Sequence, residues 1–408
     1  MSRQLKGSVS LPGSKSESNR ALMIAAYGGF PLEAENLSDA HDTVLLQTLL
    51  RKAGDDPKTD AIVIDCEDAG TVARFMVTFL ACKPGTWILT GTPRLRQRPV
   101  AHLVEALQNL GADIEYMKEE GTLPVRIDGT KIQGGSVAID ASQSSQFVTS
   151  LLLAAPTWDE GLRLTMTAEA VSEPYIDMTL AMMACFGVKA VRNGETIMVA
   201  HQPYCPCRFT VSADWSAASY WYEMAALSDG CDLLLEGLKP ESLQGDAIVA
   251  ELFRAFGVRS VFEPCGVRLT KVEGDLPKEP FVFDFARTPD LFPAVFVTCI
   301  ALHQPAVFRG IQTLSLKESN RVESLISELL KLYDFKYLFN KNEIIIEKSS
   351  LLNILKNNHK VIFNTYGDHR VAMALAPLSL KVGAVSFDHP EVVTKSYPTF
   401  WRDLSLFV

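Results

Sequence analysis

A chain of 408 residues is long enough for two or more domains of about 100–200 residues each. Hydrophobic residues make up 47% and charged residues 21%, which is enough apolar material for full cores and excludes a disordered chain. A net charge of −9 argues against nucleic acid held on a basic surface, so an anionic ligand must be met by Lys and Arg gathered locally. No apolar run approaches ~18 residues, so no membrane span is expected. The start Met1-Ser2-Arg3-Gln4-Leu5-Lys6 leads into a strand, which does not read as a secretory signal. The eight cysteines include no CxxC pair, and Cys205-Pro206-Cys207 has no matching pair at zinc-finger spacing. They read as reduced thiols, mostly buried, and a cytoplasmic location is expected.

One pattern recurs six times along the chain: a short apolar strand, a polar turn, then an apolar helix. The first copy is Ser8-Val9-Ser10-Leu11, a turn carrying Lys15, then Ala21 to Ala26, with Ser14, Ser16 or Ser18 able to cap the helix. The second runs from Ile62-Val63-Ile64-Asp65 through Glu67 to Thr71 into Val72 to Ala81. The third is Val137 to Asp140, the turn Ser142 to Gln146, then Phe147 to Ala155. The fourth is Phe209 to Ser212, the turn Ala213 to Ser216, then Ala217 to Leu227. The fifth is Phe281 to Asp284, the turn Ala286 to Asp290, then Leu291 to Leu302. The sixth is Val361 to Asn364, the turn Tyr366 to Arg370, then Val371 to Leu380. This spacing is longer than the ~20–50 residues of a solenoid repeat and fits six small α/β subdomains.

Second helices follow, such as Ala101 to Leu110, Ile176 to Phe186 and Ala247 to Phe256, each ending before a Gly that suits a left-handed cap. Hairpin-like stretches come next, for example around Asn193-Gly194. The repeating unit therefore reads strand–helix–strand–helix–strand–strand. His201 to Pro206 reads as a connector, and Asn340-Lys341-Asn342 and Asn357-Asn358 as exposed turns. Crossings between domains are expected near Pro12 to Ser14 and near Val211 to Asp214, with the N-terminal strand completing the other domain's sheet. The expected domains are 1–12 with 213–408, and 13–212, with the active site in the cleft between them.

Six helix starts aimed into one cleft would line it with backbone N–H groups and positive dipole ends. Lys15, Arg20, Arg74 and Arg370 lie at those turns, and Arg94 to Arg98, Lys317 to Arg321 and Lys395 add basic loops. Arginine forks suit carboxylate and phosphate, and Ser144-Ser145-Gln146 adds neutral donors, so small substrates with two or more anionic groups are the natural ligands. Two carboxylates, Asp290 and Glu318, stand among these cations, where a lowered pKa keeps a carboxylate ionised and able to act as a base. The bland readings are a helix cap for Asp290, a solvated charge run for Lys317 to Arg321, and a cap with a buried histidine for Asp368-His369-Arg370.

The stretches Leu11-Pro12-Gly13-Ser14-Lys15-Ser16-Glu17-Ser18-Asn19-Arg20 and Asp68-Ala69-Gly70-Thr71-Val72-Ala73-Arg74 together carry a resemblance. Arg98-Pro99, Ser144-Ser145-Gln146-Phe147, Lys317-Glu318-Ser319-Asn320-Arg321, Gly367-Asp368-His369-Arg370 and Lys395-Ser396-Tyr397-Pro398 extend it over nearly the whole chain. The sequence resembles the enolpyruvyl transferases, most closely the branch acting on shikimate 3-phosphate. The resemblance implies an α/β (α+β) fold of two domains. Each would hold three β-α-β-α-β-β subdomains in a pseudo-threefold, inside-out barrel-like arrangement, with two crossovers as the hinge. It implies transfer of the enolpyruvyl group of phosphoenolpyruvate to the 5-hydroxyl of shikimate 3-phosphate, through a tetrahedral intermediate that expels phosphate. No metal or organic cofactor, nucleic acid or membrane partner is implied, and a monomer is expected.

By the same resemblance, shikimate 3-phosphate is held by Lys15, Ser16, Arg20, Ser144, Ser145, Gln146, Ser172, Asp290 and Lys317. Phosphoenolpyruvate is held by Lys15, Gly70, Arg98, Gln146, Arg321, Arg370 and Lys395. Asp290, Glu318 and Lys15 carry the proton transfers. The chain departs from the family at Asp68, where Asn is usual, at Glu173, where Lys or Arg is common, at Trp215, where a small residue is usual, and at Thr313, where Asn is frequent. The related transferases acting on UDP-N-acetylglucosamine use a loop cysteine, and the loop Gly91 to Val100 contains none. A non-catalytic anion-binding protein on the same fold would lose the two carboxylates. RNA 3′-end cyclases share similar subdomains, but the motifs show no nucleotide-handling histidine.

Overall fold

The structure is a computed structural model and describes residues 4–54, 61–272, 274, 276–352 and 361–408. The expected turn at Asn357-Asn358 lies outside them. The chain divides into two compact units, one of Lys15–Val211 and one of Met1–Ser14 with Ser212–Val408. Each has its own apolar core.

Two of the helices that follow the six turns are buried on every side. All ten residues of Phe292–Ala301 and all thirteen of Trp215–Leu227 are buried. A helix without a polar face must lie inside, so the sheets have to cover the helices. The sheets behave accordingly. Strand Gln4–Ser10 buries only Leu5 and Val9, and outward-facing Val63, Val191, Val261 and Val282 stay exposed. Such one-sided sheets wrapped round buried helices are the inside-out arrangement expected from the sequence.

Four subdomains carry a four-stranded sheet. In the clearest, Ile62–Asp65 lies parallel to Gly85–Thr90 across the helix Gly70–Ala81, and the hairpin Asp113–Tyr116 with Val125–Gly129 completes the sheet. The two subdomains at the ends of the pattern have two-stranded sheets, Phe209–Thr210 with Ala34–Glu35 and Val361–Phe363 with Val385–Phe387. The closing hairpin is missing from both among the described residues.

Two strands pair away from the helices that follow them. The strand preceding the helix Lys15–Gly28 pairs in parallel with Gly230–Glu236 of the other unit's sheet. The strand expected to open the fourth copy, Phe209–Thr210, pairs with Ala34–Glu35 instead. The reason is where the chain crosses. Each crossing falls between a strand and its helix, so the strand stays with the unit it leaves. The two crossings are stitched together by a Gly13–Ala213 bridge and by Ser14 N–H donating to the Ser212 carbonyl at 2.8 Å.

Helix ends follow local chemistry. Ser144 accepts from the Gln146 N–H, Asp214 from the Ser216 N–H and Asp368 from the Arg370 N–H, all as N-caps. Gly111, Gly187 and Gly257 close their helices at φ +92°, +85° and +75°, as left-handed caps require. The expected helix Val371 to Leu380 is instead His369–Leu375 followed by a 3₁₀ turn, because Pro377 removes an amide donor. The expected helix Ala247 to Phe256 is three short turns. The thiols also depart from expectation. Only Cys66 and Cys299 are buried, while Cys185, Cys205 and Cys265 are exposed, at a helix end, in the connector and in a hairpin turn.

Candidate active site

In the unit Lys15–Val211, Lys15 opens its helix and pairs with Asp42 at 3.1 Å. Asp42 is buried, so the ammonium is held at a fixed point in place of sweeping through solvent. The ligand atoms of His41, Asp42 and Asp68 lie within 4.8 Å of one another, which places the Asp68 departure beside this pair. Gly70 begins the next signature helix. A Cβ there would stand 2.3 Å from Arg98 Nη1 and 2.7 Å from Arg74 Nη1. Only glycine lets two guanidinium groups crowd a helix N-terminus. Arg74 braces the spot by donating to the Gly70 carbonyl at 3.0 Å and the Pro99 carbonyl at 2.8 Å. Gln146 ties in the third helix by donating to Thr71 Oγ1 at 2.9 Å.

Arg20 is buried and spans several elements. It donates to Thr179 Oγ1, Thr149 Oγ1 and the carbonyls of Ser16 and Tyr175. Four of its five N–H donors are thus engaged within the unit. Burial lowers its pKa to about 10, which still leaves it charged at neutral pH. Ser172 sits on the loop before Tyr175 at φ +55°, a conformation that costs a non-glycine residue energy and is found most often at functional positions. Glu173 pairs with Arg192 at 2.6 Å, and Arg192 also holds Asp177 at 2.9 Å, so one cation serves both carboxylates. Ser16, Ser144 and Ser145 stand on the first turns of their helices or cap them.

The other unit gathers the opposite chemistry. Arg321 is 1% exposed and binds three carboxylates: Asp290 at 2.8 Å, Glu318 at 2.9 Å and Asp368 at 2.9 Å. Arg370 binds the second oxygen of Asp290 at 2.8 Å, and Lys317 stands 3.8 Å from the first. Lys395 is buried on the turn that packs against the helix His369–Leu375. Burial disfavours the Asp290 charge, but Arg370, Lys317 and Arg321 outweigh it and hold this carboxyl well below the usual carboxylate range. Burial likewise opposes the Arg321 charge, and Asp368, Glu318 and Asp290 overcome it.

These bonds replace the bland readings. Asp290 is not a helix cap: it lies within the 3₁₀ turn Pro289–Leu291, and its oxygens go to arginines. Lys317 to Arg321 is not a solvated run, since Arg321 is among the largest fully buried side chains. Asp368 does cap its helix, with His369 buried beside it, and it also anchors Arg321. Trp215 is core, packed against Phe262, and Thr313 is buried in the turn before Lys317.

Within this unit a buried carboxylate, Asp290, is kept ionised by arginines and shares one of them, Arg321, with a second carboxylate, Glu318. The sequence matches the EPSP synthase (3-phosphoshikimate 1-carboxyvinyltransferase) family over residues 1–404. The chain belongs to the EPSP synthase family. It is 41% identical over 402 residues to the 3-phosphoshikimate 1-carboxyvinyltransferase of Bacteroides fragilis, covering 98% of this chain and 95% of that protein. The counterpart from Syntrophobacter fumaroxidans is 34% identical over 416 residues, at 98% and 96% coverage. The solved structure of EPSP synthase from Acinetobacter baumannii superposes with a TM-score of 0.76 at 22% identity, covering 100% of this chain and 96% of that one, and agrees with the fold.

Several side chains of these clusters escaped the sequence reading. Asp42 partners Lys15, Tyr220 accepts from Arg370 at 3.4 Å, and Asp246 is buried near Asp290 and Arg370. Asp42 at a helix start looks like an ordinary first-turn acid, and neither Tyr220 in an apolar helix nor Asp246 in a loop carries a sequence signal. No described helix is long and apolar enough to cross a membrane.

Proposed function

We infer that this chain is an EPSP synthase: it transfers the enolpyruvyl group of phosphoenolpyruvate to shikimate 3-phosphate and releases phosphate, in aromatic amino-acid biosynthesis. The observation that carries the assignment of roles is Asp290, held ionised between Arg321 and Arg370 with Glu318 on the same arginine. Asp290 takes the proton of the 5-hydroxyl as its oxygen attacks C2 of phosphoenolpyruvate. Glu318 or Lys15 delivers a proton to the methylene carbon. In the tetrahedral intermediate the flow reverses: the methyl group gives up a proton, the C–O bond to phosphate breaks, and the enol ether forms. No step needs a metal or an organic cofactor.

A carboxylate pinned by three cations is a weak base, so its partners must yield when substrate arrives. A substrate carboxylate engaging Arg321 and Arg370 competes for the same N–H donors and raises the proton affinity of Asp290 at the moment it is needed. Lys317 and Asp290, with Lys15, Ser16, Arg20, Ser144, Ser145, Gln146 and Ser172, are proposed to hold shikimate 3-phosphate. Phosphoenolpyruvate is assigned to Lys15, Gly70, Arg98, Gln146, Arg321, Arg370 and Lys395. Fixed dipoles and guanidinium groups stabilise the developing charge, and positioning supplies much of the rest. The separate apolar cores support a monomer, and eight free thiols support a cytoplasmic location. Phosphate release from phosphoenolpyruvate, with shikimate 3-phosphate or UDP-N-acetylglucosamine as acceptor, tests the assignment. Release with shikimate 3-phosphate alone is expected, and release with neither acceptor would overturn it.

A further inference from the structure

Asp246 has no role in the reaction as derived above, yet it lies against the same charges. It is 2% exposed, on the short turn Gly245–Ile248 that packs against the start of the helix Trp215–Leu227. The turn carrying Asp290 packs against that same helix. Ser216 donates to Asp246 Oδ2 at 2.5 Å, while Oδ1 has no hydrogen-bond partner among the described residues. A buried carboxyl with one bare oxygen is expensive to keep, since its desolvation is only partly repaid. The groups whose charge bears on it are Asp290, Arg370 and Asp214. Ser216 and Tyr220 lie one turn apart on that helix: the first is bonded to Asp246, and the second accepts from Arg370, which binds Asp290.

We propose that Asp246 is a positioning residue for this reaction, acting through Asp290 by placing a second carboxyl group close to it. The proposal rests on Asp290 being the base. Burial pushes the Asp246 carboxyl up to about 7, with Asp290 and Asp214 adding to the rise and Arg370 and Ser216 opposing it. At neutral pH it therefore changes charge within the working range. When Asp246 is ionised, its charge raises the proton affinity of Asp290 and makes it a stronger base. When Asp290 accepts the hydroxyl proton its own charge vanishes, and Asp246 gives up its proton more readily. Like charges in one buried site share their protons in this reciprocal way.

The test is kcat from pH 6 to 8.5 for wild type and Asp246→Asn, with both substrates saturating. The variant keeps the shape but is locked neutral. The ratio of wild-type to variant kcat is expected to rise at least about threefold across this window, with the midpoint near the Asp246 ionisation. A purely structural role gives a ratio that does not change with pH, and that result overturns the proposal. Should Asp246→Asn not fold, Ser216→Ala carries the test. Losing the bond that favours the anion moves the wild-type rise to higher pH, and an unmoved midpoint overturns the proposal. Asp290→Asn, assayed alongside, separates the two claims: full turnover in that variant removes the base assignment whatever Asp246 does.

Discussion

The two units handle charge in opposite ways. In the unit Lys15–Val211, Arg98 and Arg74 crowd Gly70, and Lys15 is paired with the buried Asp42. The unit completed by Ser212–Val408 presents cations already bonded to carboxylates, with Arg321 alone holding three. We propose that the first arrangement serves as a cradle for an anion, and the second for proton transfer, with its cations shared between substrate and base. Binding is therefore expected to fail first in one unit and chemistry first in the other.

The largest effect falls on Asp290. Asp290→Asn keeps the shape and two hydrogen-bonding atoms but removes the proton acceptor. Turnover should fall about a thousandfold or more, with the dissociation constant for shikimate 3-phosphate, read by calorimetry, within a few-fold of wild type. Next comes Arg321→Ala, which leaves Asp290, Glu318 and Asp368 without their shared cation. Loss of one partner from a buried ion pair costs about 3–5 kcal/mol, and a fall of that order in urea-unfolding free energy is expected. An effect below 1 kcal/mol would mean the network is not buried as described.

Gly70→Ala probes the cradle. A Cβ at 2.3 Å from Arg98 must displace the guanidinium, so KM for phosphoenolpyruvate should rise about tenfold or more while kcat changes less. The pH dependence of stability sharpens the contrast from the other side. The folded-state pKa of Asp246 lies above its unfolded value, so its contribution is intact below about pH 4 and is lost as pH rises to about 7. That loss is roughly 4 kcal/mol at most, and Asp246→Asn should be more stable than wild type at pH 8 but not at pH 4. Asp290 has the opposite sign: its contribution is present above its unfolded pKa and lost on acidification. The smallest effect belongs to Glu173→Gln, whose partly exposed pair with Arg192 is worth about 0–1 kcal/mol, with KM for shikimate 3-phosphate nearly unchanged.

The repeat was legible because each strand, turn and helix is local, and its helices are apolar enough to demand burial. The N-terminal strand's place in the other sheet was legible from the crossing near Pro12 to Ser14, but the pairing of Phe209–Thr210 with Ala34–Glu35 was not, because so short a strand reads alike whichever sheet receives it. Cationic site residues were visible as clusters in an acidic chain. Their carboxylate partners Asp42 and Asp246 were not, since an isolated Asp near a helix start has many ordinary uses, and only the fold brings Asp246 close to Asp290. Asp290 itself was visible, but its bracketing by Arg321 and Arg370 joins residues 31 and 80 positions apart.

Steady-state phosphate release from phosphoenolpyruvate in the presence of shikimate 3-phosphate tests this division of labour most directly when Asp290→Asn and Arg98→Gln are run beside wild type. Asp290→Asn is expected to lose kcat with both KM values nearly kept, and Arg98→Gln to raise KM for phosphoenolpyruvate with much of kcat kept. A wild-type kcat in Asp290→Asn, or an unchanged KM in Arg98→Gln, would contradict it.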